Sequence, residues 1–146
     1  MSIRILFDES LCTACGACAI ACMDQNDIDT EGGQRPYRRV TKTEIGRIRC
    51  ISSACMHCEE PACASACAAG CIYRDEKSGL VLYDNSDCAG CHACEAACPY
   101  DAVSFRMDVF GCEKMEKCDG CYARVFSGMK PSCVQNCPTG ALKVRT

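Results

Sequence analysis

Sixteen of the chain's nineteen cysteines fall into four bursts whose internal spacing is that of thiolates closing on iron-sulfur clusters. The first burst is Cys12-x2-Cys15-x2-Cys18-x3-Cys22, and the third is Cys88-x2-Cys91-x2-Cys94-x3-Cys98 followed by Pro99. The second widens the middle gap, Cys55-x2-Cys58-x4-Cys63-x3-Cys67, and the fourth widens it further, Cys118-x2-Cys121-x11-Cys133-x3-Cys137 before Pro138. Three cysteines at two-residue intervals curl round three corners of a cubane, because the short loop turns its backbone N–H groups inward. A fourth cysteine three residues on points away and ligates a second cluster, while a distant burst reciprocates. Bursts therefore work in pairs, and four of them imply four 4Fe-4S clusters.

Zinc and disulfides are the competing uses of so much cysteine. Zinc sites pair two separated C-x2-4-C knuckles, whereas three cysteines crowd each loop here. The odd cysteine count argues against a disulfide framework, and residues 2–9 lack the apolar core of a secretory signal. The chain is accordingly expected to be cytoplasmic. Its net charge of −3, from 16 basic and 19 acidic residues, gives no field to recruit nucleic acid. The most apolar stretch, residues 62–73, is far short of the roughly 20 residues of a membrane span. No nucleophile triad, carboxylate pair or phosphate-binding glycine loop is present, so no independent active site is expected.

The elements that must hold these loops are short. With no Trp and four Phe in 146 residues the conventional core is thin. Strands are expected at residues 3–7, 37–48, 72–73 with 80–83 as a hairpin, 103–105 and 141–144. The only helices expected are short ones near 17–23, 62–68, 93–97 and 132–136. The fold class is α+β, with the clusters as its core. Cys50, Cys71 and Cys112 lie outside the bursts and read as small buried hydrophobes. His57 and His92 sit inside ligand loops whose cysteine positions are all filled, so they read as neighbours of the ligands or as exposed. Arg35, Arg38, Arg39, Lys42, Arg47 and Arg49 read as a solvated hairpin face, with docking to an acidic partner as the alternative.

Several runs together resemble the iron-sulfur subunit of the dimethyl sulfoxide reductase family. These are Cys88-Ala89-Gly90-Cys91-His92-Ala93-Cys94-Glu95-Ala96-Ala97-Cys98-Pro99-Tyr100, Lys117-Cys118-Asp119-Gly120-Cys121-Tyr122-Ala123-Arg124, Asn136-Cys137-Pro138-Thr139-Gly140-Ala141-Leu142 and Cys55-Met56-His57-Cys58-Glu59-Glu60-Pro61. The linker lengths alone allow nested or neighbouring pairing of the bursts. The resemblance implies the nested pattern: Cys12, Cys15, Cys18 with Cys137; Cys22 with Cys118, Cys121, Cys133; Cys55, Cys58, Cys63 with Cys98; and Cys67 with Cys88, Cys91, Cys94. It implies two bacterial-type ferredoxin modules, residues 1–50 plus 111–146 outside and 51–110 inserted. It also implies an electron-transfer subunit, not itself catalytic, that serves a large molybdenum or tungsten pterin oxidoreductase subunit and an external carrier. That large subunit would be of dimethyl sulfoxide reductase type or of tungsten aldehyde oxidoreductase type. A free-standing polyferredoxin shuttle is the alternative. With Cys91 present where some relatives carry Trp, all four clusters are expected to be 4Fe-4S.

Overall fold

The computed structural model describes residues 2–146. Eight strands form four separate antiparallel pairs, and five helices of four to nine residues lie between them. β1 (Arg4–Phe7) pairs with β8 (Leu142–Arg145), placing Arg4 opposite Arg145 and Phe7 opposite Leu142. The two ends of the chain thus close one sheet. Its alternation is legible in β1: Ile5 and Phe7 pack inward against Cys18, Cys133, Val134 and Leu142, while Leu6 faces out.

The other three pairs are hairpins. β2 (Arg39–Thr43) returns as β3 (Arg49–Ser53) around Gly46, whose φ of +80° suits the reversal. β4 (Ile72–Arg74) pairs with β5 (Val81–Tyr83), and β6 (Ser104–Met107) with β7 (Glu113–Glu116). The charged sequence of β7 gives no strand signal of its own; Met115 is fully buried there, and pairing to β6 imposes the extended form.

The helices are α1 (Ala17–Gln25), α2 (Ala62–Ala66), α3 (Ala93–Ala97), α4 (Tyr122–Phe126) and α5 (Ser132–Gln135). Four of them meet the expectation; α4, inside the long gap of the fourth burst, and a 3-10 turn at Glu9–Leu11 do not appear in it. α1 packs on α5 and α2 on α3, so the first burst meets the fourth and the second meets the third. Among the described residues no helix is long and apolar enough to cross a membrane.

Two small apolar cores result. One joins Cys71, Ile72, Val81, Cys94, Val103 and Met115; the other joins Cys18, Cys133, Val134 and Leu142. Four of these ten buried side chains are cysteines, so the fold is α+β built round thiols.

Candidate iron-sulfur sites

Each burst is shaped by one backbone device. The residue two positions after its first cysteine is left-handed: Ala14, His57, Gly90 and Gly120 have φ of 57°, 47°, 69° and 71°. That reversal turns the residue's own N–H back on the first sulfur. Ala14 N donates to Cys12 Sγ at 3.4 Å, His57 N to Cys55 Sγ at 3.4 Å and Gly120 N to Cys118 Sγ at 3.3 Å. Gly120 is also sterically required, because a Cβ there would lie 2.6 Å from Cδ2 of the buried Leu80. A second left-handed residue follows three positions after a closing cysteine, at Gly70, Asp101 and Gly140. It aims Cys71 N at Cys67 Sγ, 3.3 Å away, and Ala102 N at Cys98 Sγ, 3.5 Å away. Burial pushes the Cys67 thiol up, but N–H groups of Cys71, Ala69 and Gly70 outweigh it and hold the group below its ordinary range.

The bursts are brought together in sets. Cys12, Cys15, Cys18 and Cys137 line one cavity, with Phe7 and Leu142 in its wall. Cys67, Cys88, Cys91 and Cys94 line another, with Phe105 and Met115. Cys22 is buried, its thiol pushed up to about 11 by burial and then by its neighbours Cys133 and Cys121. Burial likewise raises Cys63, and Cys55 and Cys98 are among its neighbours; Cys58, half-buried, follows Cys55 in the same loop. Cys118 is raised by burial and then by Cys55, with Cys22 also beside it. Cys15 and Cys91 are exposed, one in each cavity-lining set, whereas Cys22, Cys118, Cys121, Cys133, Cys55, Cys58, Cys63 and Cys98 are all buried or half-buried. An all-thiolate donor set with inward N–H groups is the chemistry of 4Fe-4S ligation. Among the described residues no three His, Cys, Asp or Glu side chains close on the point that a single metal ion needs.

Residues 47–146, spanning the last three bursts, match the 4Fe-4S dicluster domain family, and residues 5–22, spanning the first, match the 4Fe-4S binding domain family. The protein is 37% identical to a subunit of the anaerobic dimethyl sulfoxide reductase of Haemophilus influenzae, over 93% of its own length and 70% of the relative's. It belongs to the iron-sulfur subunit family of dimethyl sulfoxide reductase type. It is also 38% identical to the thiosulfate reductase electron transfer subunit of Salmonella typhi, over 95% of its own length and 73% of the relative's. With the iron-sulfur subunit of the nitrate-inducible formate dehydrogenase of Escherichia coli it shares 33% identity over 97% of its own length and 53% of the relative's.

Within this family member, side chains outside the bursts take parts that local sequence does not announce. Cys71 is buried and lines the same cavity as Cys67, and Cys50 is half-buried on β3. Cys112 departs from the small-hydrophobe expectation. It is exposed in the β6–β7 turn, where Asp108 Oδ1 accepts its N–H at 2.9 Å and fixes the turn. His92 is half-buried, stacked on Phe105 with ring centroids 3.7 Å apart, and its Nε2 meets Glu113 Oε2 at 2.7 Å. His57 instead lies inside the protein, where burial and then the Lys117 charge push its pKa down to about 3 and keep it neutral.

The basic run divides: Lys42, Arg47 and Arg49 are exposed on the β2–β3 hairpin, as a solvated face requires, whereas Arg35, Arg38 and Arg39 are committed to partners inside the chain. Arg38 is buried and donates to Ser52 Oγ at 3.0 Å, and Ser52 Oγ lies 3.3 Å from Cys18 Sγ. Arg35 and Arg39 both grip Asp101, each through Asp101 Oδ2 at 3.0 Å and the Asp101 carbonyl at 2.8 Å. They hold the Asp101 carboxyl below its usual range and tie the segment before and into β2 to the turn after Cys98. Arg49 pairs with Glu9 at 2.9 Å. Partners this far along the chain leave no local pattern, so a count of charges cannot find them.

Proposed function

We propose that the chain carries four 4Fe-4S clusters and relays electrons between a molybdenum or tungsten pterin catalytic subunit and an external carrier. The ligand sets are Cys12, Cys15, Cys18, Cys137; Cys22, Cys118, Cys121, Cys133; Cys55, Cys58, Cys63, Cys98; and Cys67, Cys88, Cys91, Cys94. The observation that carries the reading is the pattern of exposure: the first and last sets each hold one exposed cysteine, Cys15 and Cys91, and the two middle sets hold none. A relay needs two ends open to partners and a sheltered middle. Neighbouring sets share a burst at Cys18 and Cys22, at Cys133 and Cys137, at Cys63 and Cys67 and at Cys94 and Cys98, while Cys55 and Cys118 lie side by side where the middle sets meet. The sets therefore follow one another in a single line. Bound clusters supply one-electron carriers; the polypeptide holds them, insulates them and donates hydrogen bonds to their ligand sulfurs.

In this reading residues 1–50 with 111–146 form an outer ferredoxin module and residues 51–110 an inserted inner one. The closure of β1 on β8 and the packing of α1 on α5 and of α2 on α3 support the division. The β2–β3 and β6–β7 hairpins run across its two bounds and serve as the covalent joints. Relatives named as parts of dimethyl sulfoxide and thiosulfate reductases support a partner that does the chemistry.

The test is anaerobic purification of the chain from its native host. The expected result is one large chain in equal amount, bearing molybdenum or tungsten, whose substrate changes the iron-sulfur absorption of the pair, bleaching it where the substrate donates electrons and restoring it where the substrate accepts them. Recovery of the chain alone, as a soluble carrier reducible by several unrelated enzymes, would replace the subunit reading with that of a free polyferredoxin.

A further inference from the structure

Lys117, directly after β7, is 1% exposed, the most deeply buried charged side chain among the described residues. Its Nζ donates to Cys118 O at 2.7 Å, to Cys55 Sγ at 3.5 Å and to the carbonyl of Val81. Three acceptors round one nitrogen match the three protons of an ammonium; a neutral amine has two. A buried cation is costly unless paired, so the compensating charge must lie within this shell, and the thiolate sulfur is the only anionic group in it. From the other side, His57 Nδ1 accepts the N–H of the same Val81 at 3.0 Å. That bond puts the imidazole proton on Nε2, which faces Cys118 Sγ at 3.7 Å.

The arrangement is reciprocal. Lys117 precedes Cys118 yet bonds the sulfur of Cys55; His57 follows Cys55 yet bonds the sulfur of Cys118. Val81, fully buried at the start of β5, fixes both through its two backbone groups. We propose that Lys117 and His57 form a clasp between the two middle cluster sites, positioning residues that hold the sites together and raise the potentials on either side of the joint. The inference rests on the ligand sets proposed above, which assign Cys55 and Cys118 to different clusters. The same nitrogen bonds Cys55 Sγ and the carbonyl of Cys118, so its charge lies beside a ligand residue of each set. Positive charge and N–H donation at ligand sulfur favour the reduced state, which carries one more negative charge. In transfer across the joint one side loses an electron and the other gains it. No bond forms or breaks, and no proton moves, because the ammonium and the Nε2–H are already in place.

The test is a redox titration followed by electron paramagnetic resonance on the anaerobic full-length chain in its complex, with iron analysis of each sample. Lys117→Met should keep the wild-type iron content and shift two of the four reduction equilibria toward the oxidised form by at least about tenfold, about 59 mV for a one-electron couple. The other two should stay in place, and Lys117→Arg should recover most of the shift. His57→Asn accepts the left-handed backbone but is too short to reach Cys118, and should shift a single equilibrium in the same direction. Full iron with no shift in either variant, or an equal shift of all four, overturns the clasp while leaving the four-cluster reading standing. Iron loss in Lys117→Met that Lys117→Arg does not restore overturns it too, since the role would then be one of shape. Wild-type chain with fewer than four clusters overturns the ligand sets themselves.

Discussion

Removal of iron is expected to unfold the chain altogether, with the far-ultraviolet circular dichroism and the brown colour lost together. Among the described residues each sheet has only two strands, which are marginal in isolation, and no helix exceeds nine residues, below the roughly 12–15 at which isolated helices hold. The apolar cores are small and partly made of Cys18, Cys71, Cys94 and Cys133. Net stabilities of domains are about 5–15 kcal/mol, and structural zinc in zinc-finger peptides binds with about 10–16 kcal/mol, so thiolate–metal ligation in a small fold can equal the whole stability. Removing iron also leaves Cys22 and Cys94 as thiols that burial pushes up to about 11, with no metal to draw off their protons. Anaerobic chelation with spectra recorded before and after is the check. Retention of native-like circular dichroism after complete loss of iron would show that the polypeptide carries its own core.

Cys67→Ser is expected to cut the relay at one end only. Cys67 closes the second burst and lines the cavity with Cys88, Cys91 and Cys94, the end of the line that the family resemblance implies as the exit to the external carrier. The mutation removes a ligand and, with it, the sulfur that accepts the N–H of Cys71. Carrier-linked turnover of the complex should fall by more than the roughly 10–100-fold that loss of an outer hydrogen-bond partner costs at a metal site. Substrate should still exchange electrons with the cluster held by Cys12, Cys15, Cys18 and Cys137, seen by electron paramagnetic resonance. Turnover that survives loss of the Cys67 cluster would reverse the order or detach that cluster from the line.

The parts of this protein visible in its sequence are those whose determinants are close together. Spacing within a burst places α3 at the residues expected for it and α1, α2 and α5 within two, because a short helix carries the third cysteine of each burst and the closing one lies on it or within two residues of its end. The Ile72–Tyr83 hairpin is legible for the same reason, through a turn at Lys77-Ser78-Gly79. α4 is not: it starts directly after Cys121, whose own φ is positive, inside an eleven-residue gap with no apolar period. β3 and β7 escape a sequence reading because pairing to the preceding strand of the hairpin, not their own composition, extends them. The same holds for the site. Four cysteine bursts announce clusters, but the grip of Arg35 and Arg39 on Asp101 and the clasp of Lys117 and His57 join residues some sixty positions apart, and only the folded chain brings them together.

The number of clusters is the claim on which the rest depends, and it is measured by iron, zinc and acid-labile sulfide analysis of the anaerobically purified chain. Sixteen cysteines in four complete bursts predict about 16 iron and about 16 sulfide per chain, with no stoichiometric zinc. Zinc in stoichiometric amount without sulfide, or no more than half that iron in protein never exposed to air, would contradict the four-cluster account.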